Sequence, residues 1–297
     1  MPNATGDVFV NDAELDSICK RGGLMNIKYN NKSSKMCEIV VSSSLDDTMQ
    51  PSLLYKTRNK KRPLLVGLHT WSFNRFNQID NMLPYSEKYD FNLLLPEFRG
   101  ENLSSNPNRY KACGSEYAMR DIYDATKYVG RDHDIDTDNI FLLGLSGGGH
   151  MAMMMAAFYP KLFKAIGAFV PISDLSAWAH QNDYYRKHIL ACCEGNILEM
   201  KKRSPISYID EIAKTNLKIF HGKYDNIVPV TQSYSFYTEL TKKYPNASVY
   251  LDIFDGDMRL IWSLHFCGLP DSIQRKEGIR LPDNISLMHV WLVYIVY

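Results

Sequence analysis

The chain has 297 residues, of which 45% are hydrophobic and 23% charged, as in ordinary soluble globular proteins. Its 34 basic and 33 acidic side chains give a formal net charge of +1, and we see no basic stripe in the sequence. This balance gives no electrostatic reason to expect nucleic acid or an anionic membrane as a partner. A chain of this length can bury one large core, and we expect a single domain over residues 1–297.

The cysteines and the two ends of the sequence indicate no metal site, export signal or membrane span. The six cysteines are scattered without the spacing of a zinc site, which favours reduced thiols. The N-terminus lacks a basic start followed by an apolar stretch, and the late apolar run from Ile285 to Tyr297 is too short to cross a bilayer. We therefore expect a cytoplasmic protein that needs no metal or other cofactor.

Short apolar runs alternate with helical patterns along most of the chain. An opening antiparallel hairpin is predicted at 37–44 and 52–57. Near-continuous apolar runs, typical of strands covered on both faces, follow at 63–69, 91–98, 139–144, 165–170, 217–222 and 249–254. Helices are predicted at Ser115–Val129, Gly147–Tyr159 and Thr231–Lys243. The alternation predicts an α/β fold: a mostly parallel sheet of about eight strands with helices on both faces.

Residues 172–213 break this alternation and are rich in Tyr, His and Trp. We interpret them as a small lid inserted over the edge of the sheet. Its aromatic side chains, among them Trp178, Tyr184 and Tyr185, suit stacking on a sugar or aryl group, although ordinary packing uses the same residues. Trp178 and Tyr184 are the predicted substrate contacts.

The strongest motif lies where strand 139–144 meets the following helix. The sequence there is Gly-Leu-Ser-Gly-Gly-Gly-His, with Ser146 at the centre of a G-x-S-x-G pattern. Between a strand and a helix this pattern indicates a nucleophile elbow, a turn so tight that it requires glycines beside the serine. The alternative, a nucleotide-binding turn, would need a differently spaced glycine pattern or a GK[ST] sequence. His150 lies in the first turn of the helix and is expected to be packed there.

A candidate acid follows the strand at 217–222. Asp225 lies directly after this strand and before a helix, where a carboxylate can orient and support a histidine. The order of the serine before the aspartate, with a histidine after both, also fits the chain order of α/β-hydrolases. A solvated turn residue is the alternative interpretation of Asp225.

Three segments together resemble the catalytic domain of the prolyl oligopeptidase family. They are GLSGGG at 144–149, HGKYDNIVPVTQS at 221–233 and PEFRG at 96–100, and the second carries every fixed position of the pattern H-G-x-x-D-x-x-V-P-x-x-Q-S. The resemblance covers about residues 37–256 and implies an α/β-hydrolase fold. It also implies that Ser146 is the nucleophile and Asp225 the acid of a catalytic triad. We expect no room for the β-propeller of the family's peptidases, and free-standing members of this type look like esterases, including those that act on acylated carbohydrates.

The resemblance also indicates the oxyanion hole. The family has His-Gly at the end of the strand corresponding to 63–69, and this chain has His69 followed by Thr70. We expect the backbone N–H of Thr70 or Trp71 to act together with that of Gly147.

The histidine of the triad is missing from its usual place. The family carries it in a D-G-G-H-like turn after the last strand, whereas Asp255 and Gly256 are followed here by Asp257 and Met258. Loss of one G from a run of G bases would convert Gly-Gly-His-Glu-Ala into Gly-Asp-Met-Arg-Leu, so residues after about Gly256 could be out of frame. The alternative is that His265, further along the chain, is the base.

The sequence therefore predicts a serine hydrolase that cleaves a small-molecule carboxylic ester. Two alternatives stay open: a peptidase for short peptides, and a non-enzymatic copy that lacks the triad histidine.

Overall fold

The computed structural model describes residues 35–132 and 134–256. Eight strands form one sheet in the order β1-β2-β4-β3-β5-β6-β7-β8. Their bounds are Cys37–Ser42 (β1), Met49–Tyr55 (β2), Arg62–Leu68 (β3), Asn92–Pro96 (β4), Ile135–Leu145 (β5), Ala165–Phe169 (β6), Leu217–Gly222 (β7) and Val249–Phe254 (β8). The β1–β2 and β2–β4 pairs are antiparallel, and every pair from β4 through β3 to β8 is parallel. The predicted α/β class, opening hairpin and mostly parallel sheet are confirmed.

Helices cover both faces of this sheet. Their bounds are Ile79–Tyr89 (α1), Glu116–Val129 (α2), Gly147–Phe158 (α3), Leu175–Gln181 (α4), Asp183–Cys192 (α5), Ile197–Lys202 (α6), Ile209–Ile212 (α7) and Thr231–Lys243 (α8). Short 3₁₀ turns lie at Arg109–Lys111 and Pro205–Tyr208. Helices α2, α3 and α8 pack on one face, whereas α1 packs on the other. No helix within the described ranges is long and apolar enough to cross a membrane.

The predicted elements differ from the observed ones in informative places. Strand β2 starts at Met49, three residues before the predicted 52–57, and β4 ends at Pro96 rather than at 98. Helix α1 was not predicted, because Pro84 lies inside it and an internal proline normally ends a helix. Its apolar residues Ile79, Met82 and Leu83 nevertheless bury against the sheet, and this tertiary packing outweighs the loss of one hydrogen bond.

The turn after β4 is held by a buried ion network. Phe98, Arg99 and Gly100 all have positive φ (+36°, +77° and +77°), which is a costly conformation for the first two. The guanidinium of Arg99 is buried and pairs with Asp121 on α2 at 2.6 Å and with Asp46 in the β1–β2 turn at 2.9 Å. These pairs tie the Arg-Gly segment to two neighbouring elements and set the path of the chain beyond β4.

Residues 172–213, which the sequence marked as an insertion, contain helices α4 to α7. We call this segment the helical insertion. Most of its buried apolar side chains form a separate cluster with Trp71, Cys113 and Val228, whereas Ile212 packs in the main core. Trp71 follows β3 and Val228 follows β7, so the insertion packs over the carboxyl edge of the sheet.

Candidate active site

Ser146 lies at the junction of β5 and α3 in a strained conformation. Its φ is +56° and its ψ is −116°, and it is the N-cap residue of α3. The main-chain N–H of Ser146 donates to the carbonyl O of Phe169 on β6 at 2.8 Å. The residue as a whole is 8% exposed, at the carboxyl edge of the sheet. This is the strand–turn–helix geometry that the G-x-S-x-G pattern predicts.

The glycines after Ser146 are required by contact with the backbone of the loop that follows β3. A Cβ atom on Gly147 would lie 2.5 Å from the main-chain N of Trp71. A Cβ atom on Gly148 would lie 2.6 Å from the carbonyl O of Leu68 and 2.8 Å from that of His69. These are fixed main-chain atoms, so neither position can hold a side chain without moving the turn or the loop.

The loop at 69–78, here called the oxyanion loop, presents one main-chain donor beside the turn. The N–H of Thr70 donates to Oδ1 of Asn77 at 3.1 Å, so the structure removes Thr70 from the predicted donors. The main-chain N–H of Trp71, by contrast, has no hydrogen-bond acceptor among residues 35–132 and 134–256. Gly147 is the first residue of α3, and its N–H has no intrahelical acceptor. The two predicted donors that the structure brings together are therefore Trp71 and Gly147.

Contacts on both sides fix the path of the oxyanion loop. The carbonyl O of Trp71 accepts from the N–H of Asn102 at 2.8 Å, and Oδ1 of Asn102 accepts from the N–H of Cys113 at 2.7 Å. His69 stacks on Phe98 with ring centroids 3.9 Å apart. Burial lowers the pKa of His69, which favours the uncharged ring. The loop is thus held by polar and ring contacts before any ligand binds.

Asp225 lies in the loop at 223–230, here called the acid loop, which joins β7 to α8. Its carboxylate is buried, and Oδ1 accepts from the N–H groups of Ile227 and Val228, each at 2.9 Å. Strand β6 separates β7 from β5. With strands spaced about 5 Å apart, the ends of β5 and β7 are about 10 Å apart. A histidine side chain can bridge such a gap, so Ser146 and Asp225 are positioned as the nucleophile and acid of a triad would be.

The other fixed residues of the 221–233 motif are structural supports of the acid loop. The neutral ring of His221 accepts at Nδ1 from the hydroxyl of Ser233 (2.7 Å) and donates from Nε2 to the carbonyl O of Val228 (2.8 Å). Burial lowers the pKa of His221 to about 4, so the ring stays uncharged at neutral pH. It holds the end of β7, the acid loop and the start of α8 together.

Gln232, in the first turn of α8, connects that helix to the helical insertion, a role that the sequence reasoning missed. Its Oε1 accepts from the N–H groups of Ser173 and Asp174 at 3.0 and 2.9 Å, and its Nε2 donates to Gln181 at 2.8 Å. The signal was present, because Gln232 occupies a fixed position of the motif.

Every described histidine has its hydrogen bonds away from Asp225. His150 is buried with Nε2 2.7 Å from the carbonyl O of Arg203, and burial lowers its pKa to about 4. It is packed structure, as expected. His188 accepts from the N–H of Ser104 at 3.0 Å, and His180 contacts the carbonyl O of Ser176 at 2.7 Å. The predicted base, His265, and the turn position at Met258 both lie outside the described residues.

The chain reaches its last described residue beside the acid loop. The carbonyl O of Gly256 accepts from the N–H of Tyr224 at 2.9 Å, and that of Phe254 accepts from the N–H of Lys223 at 2.9 Å. Tyr224 directly precedes Asp225. Gly256 therefore lies next to the residue that precedes the candidate acid.

The two predicted substrate contacts differ in position. Tyr184 is 60% exposed and meets Tyr185 edge to face. Trp178 is 0% exposed, so its indole offers no surface to a bound molecule in this structure. Its predicted contact with substrate is replaced by contacts with the two loops beside Ser146. Across the described part of the chain, no cluster of three or more His, Cys, Asp or Glu side chains could hold a metal ion.

A parallel sheet with a strained serine after β5 and an aspartate after β7 defines an α/β-hydrolase. The chain belongs to the prolyl oligopeptidase family, whose sequence profile matches residues 80–256. The matched segment contains both Ser146 and Asp225.

Individual relatives agree with this fold. The human acylamino-acid-releasing enzyme is 25% identical over 165 residues, which are 52% of this chain and 22% of that enzyme. The acylaminoacyl peptidase of Pyrococcus horikoshii is 21% identical with a TM-score of 0.63, covering 75% of this chain and 37% of the other. An esterase of Pyrococcus furiosus is 16% identical with a TM-score of 0.59, covering 80% of this chain and 88% of the other. This chain thus spans about a fifth of the length of its human relative.

Gly148 lies so close to the main chain of Leu68 and His69 that we expect a single added methyl group to destabilise the fold. Gly148→Ala should lower the free energy of unfolding by about 2–3 kcal/mol, because the Cβ meets two main-chain oxygens. It should also abolish labelling of Ser146 by a serine-directed fluorophosphonate. Gly130→Ala is the matched control, since the nearest atom there is 3.2 Å away and the change should cost at most about 1 kcal/mol. Equal stability of the two variants in urea would show that the elbow is not constrained in this way.

The buried histidines predict a dependence of stability on pH. With a folded pKa of about 4, His150 and His221 each bind fewer protons in the folded chain than in the unfolded chain, whose histidine pKa is about 6.5. Their contribution is therefore present above about pH 6.5 and is lost as the pH falls towards 4. At about 1.4 kcal/mol per unit, each ring accounts for at most about 3 kcal/mol.

Urea unfolding at pH 7, 6, 5 and 4.5 measures this contribution. His221→Gln should give a shallower fall in stability with decreasing pH than the unsubstituted chain. His180→Gln, at an exposed position, should keep the original slope. A slope unchanged by His221→Gln would mean that His221 does not titrate as proposed.

Proposed function

We propose that this chain hydrolyses carboxylic esters through an acyl-enzyme on Ser146. The observation that carries the proposal is the position of Ser146 on a strained turn, beside the main-chain N–H groups of Gly147 and Trp71. Such paired donors stabilise the oxyanion of a tetrahedral intermediate, and loss of one typically costs about 3–4 kcal/mol of barrier. An acyl transfer reaction uses each of these features.

The reaction follows from this arrangement in two stages. The Oγ atom of Ser146 attacks the ester carbonyl carbon while a histidine takes its proton. The oxyanion is held by Gly147 and Trp71, and its collapse expels the alcohol, which receives the proton. Water then attacks the acyl-enzyme by the same route and releases the acid. Asp225, fixed by the N–H groups of Ile227 and Val228, orients the histidine and stabilises its charged form.

The general base is proposed to come from the segment after Gly256. The hydrogen bond between Gly256 and Tyr224 supports this proposal, because it holds Gly256 beside the residue that precedes Asp225. His265 is the candidate base of the chain as it stands. The alternative is that the native base belongs at position 258, where an altered reading frame has left methionine.

An ester is favoured over a peptide by the requirements of the leaving group. An amide leaving group depends more on protonation by the histidine than an alkoxide does, so a base outside its usual position limits peptide cleavage more severely. Peptide hydrolysis is the second candidate, supported by the match to the human acylamino-acid-releasing enzyme.

The exposed ring of Tyr184 is available to stack on a sugar or aryl group of the substrate.

Hydrolysis of p-nitrophenyl acetate and butyrate tests this function. We expect turnover that Ser146→Ala abolishes and Ser207→Ala, at a position outside the site, leaves unchanged. Aminoacyl p-nitroanilides should react more slowly than the esters. Amide hydrolysis as fast as ester hydrolysis would favour the peptidase. Absence of Ser146-dependent turnover and of fluorophosphonate labelling, in a chain that unfolds cooperatively, would favour the non-enzymatic copy.

A second prediction concerns the base. His265→Ala should lower kcat at least about 10³-fold, and adding it to Ser146→Ala should cause no further loss, because triad members act as a unit. His289→Ala is the matched control and should retain full activity. If His265→Ala has no effect while Asp257→Gly combined with Met258→His raises kcat, the base belongs at position 258 and the assignment of His265 is wrong.

A further inference from the structure

Trp178 lies between the two loops that carry the proposed catalytic groups. Its indole is fully buried, and Nε1–H donates to the carbonyl O of Ile227 in the acid loop at 2.9 Å. Its ring meets the ring of Trp71 in the oxyanion loop edge to face, with centroids 4.9 Å apart and planes at 76°. One side chain of the helical insertion therefore contacts both loops.

The contact with Ile227 acts on Asp225 through a single peptide unit. The carbonyl of Ile227 and the N–H of Val228 belong to the same planar group, so they point in opposite directions. The N–H side donates to Oδ1 of Asp225 at 2.9 Å, and the carbonyl side accepts from Trp178. Fixing the carbonyl therefore fixes the N–H that holds the carboxylate, and hydrogen bonds in such a chain strengthen one another.

The contact with Trp71 acts on the oxyanion loop. The indole of Trp71 is buried against Trp178, and Tyr185 meets it edge to face while stacking on Trp178 with centroids 4.5 Å apart. The main-chain N–H of Trp71 lies beside Gly147. Because the ring and the N–H are joined through one Cα atom, the packing of the ring against Trp178 and Tyr185 restricts the positions open to this donor.

Ordinary packing is the competing explanation, because a buried indole N–H needs an acceptor in any case. Asn182 also donates to the carbonyl O of Ile227, at 3.2 Å. If Trp178 only packs, its replacement destabilises the fold and changes kcat by the same factor whether or not Asp225 is present. A residue that acts through Asp225 behaves differently, and the difference can be measured.

We propose that Trp178 is a positioning residue that sets the acid loop and the oxyanion loop relative to each other. The effect on catalysis rests on the proposed function; the effect on the loops does not. Trp178→Phe keeps a ring against Trp71 and removes the N–H. Replacement of Trp178 by 3-benzothienylalanine removes only the N–H and keeps the shape of the ring system.

Kinetics of ester hydrolysis by the full chain test the catalytic part. Both variants should lower kcat about tenfold with KM changed less than about twofold, because small displacements of catalytic groups affect the transition state most. In an Asp225→Ala background the same changes should lower kcat less than about twofold further. Tyr208→Phe is the control, since it removes a side-chain hydrogen bond to the carbonyl O of Lys202 far from Asp225, and it should leave kcat unchanged.

Hydrogen exchange tests the structural part without requiring turnover. The amides of Ile227 and Val228 should exchange at least about tenfold faster in both Trp178 variants than in the unsubstituted chain. Amides of β6, at 165–169, serve as the internal reference and should exchange unchanged.

The outcomes separate the two proposals. If exchange at Ile227 and Val228 is unchanged, or if the loss in kcat is the same with and without Asp225, the positioning role is overturned. If the unsubstituted chain shows no Ser146-dependent turnover but exchange at Ile227 and Val228 rises as expected, the role of Trp178 in the loops holds and the proposed function fails.

Discussion

The close approach of two main chains at the end of β5 is the constraint on which the rest of the site depends. Gly147 and Gly148 lie so near the loop after β3 that a Cβ atom on either would reach main-chain atoms of Trp71, Leu68 or His69. This approach places the start of α3 against the oxyanion loop, and it holds Ser146 at positive φ. The packing of the buried sheet and of α3, whose residues are almost all buried, offsets the cost of the strained conformation of Ser146. The position of the two proposed oxyanion donors, Gly147 and Trp71, therefore follows from backbone packing.

Hydrogen bonds from two uncharged histidines connect the elements that surround Ser146. His221 joins the acid loop to β7 and α8, and His150 joins α3 to the helical insertion through Arg203. Both rings have two nitrogens that can bond in different directions, and burial keeps them neutral. A neutral ring can accept at one nitrogen and donate at the other without the cost of burying a charge. The same burial makes these rings unsuited to take a proton at neutral pH, which leaves the role of base to another histidine.

Much of the fold could be predicted from local patterns. Strands β7 and β8 match the predicted 217–222 and 249–254, because both are apolar runs bounded by turn residues. The turn at Ser146 was predictable from its G-x-S-x-G pattern between a strand and a helix. Three features were not predictable, since each depends on side-chain contacts that form only in the folded chain. Helix α1 tolerates Pro84 because it packs on the sheet, Thr70 is excluded as a donor by Asn77, and Trp178 is buried because both loops close around it.

The side chain at Trp71 explains why the helical insertion belongs to the site. A residue whose N–H stabilises an oxyanion needs a fixed main chain. The indole of the same residue must therefore be packed without displacing that main chain. The insertion supplies that place with Trp178 and Tyr185, and Trp178 ties the insertion to the acid loop through the carbonyl O of Ile227. The Asp225 carboxylate is held by amides of that loop. The oxyanion loop, the insertion and the acid loop thus form one closed set of contacts, and a change in any of them reaches the other two.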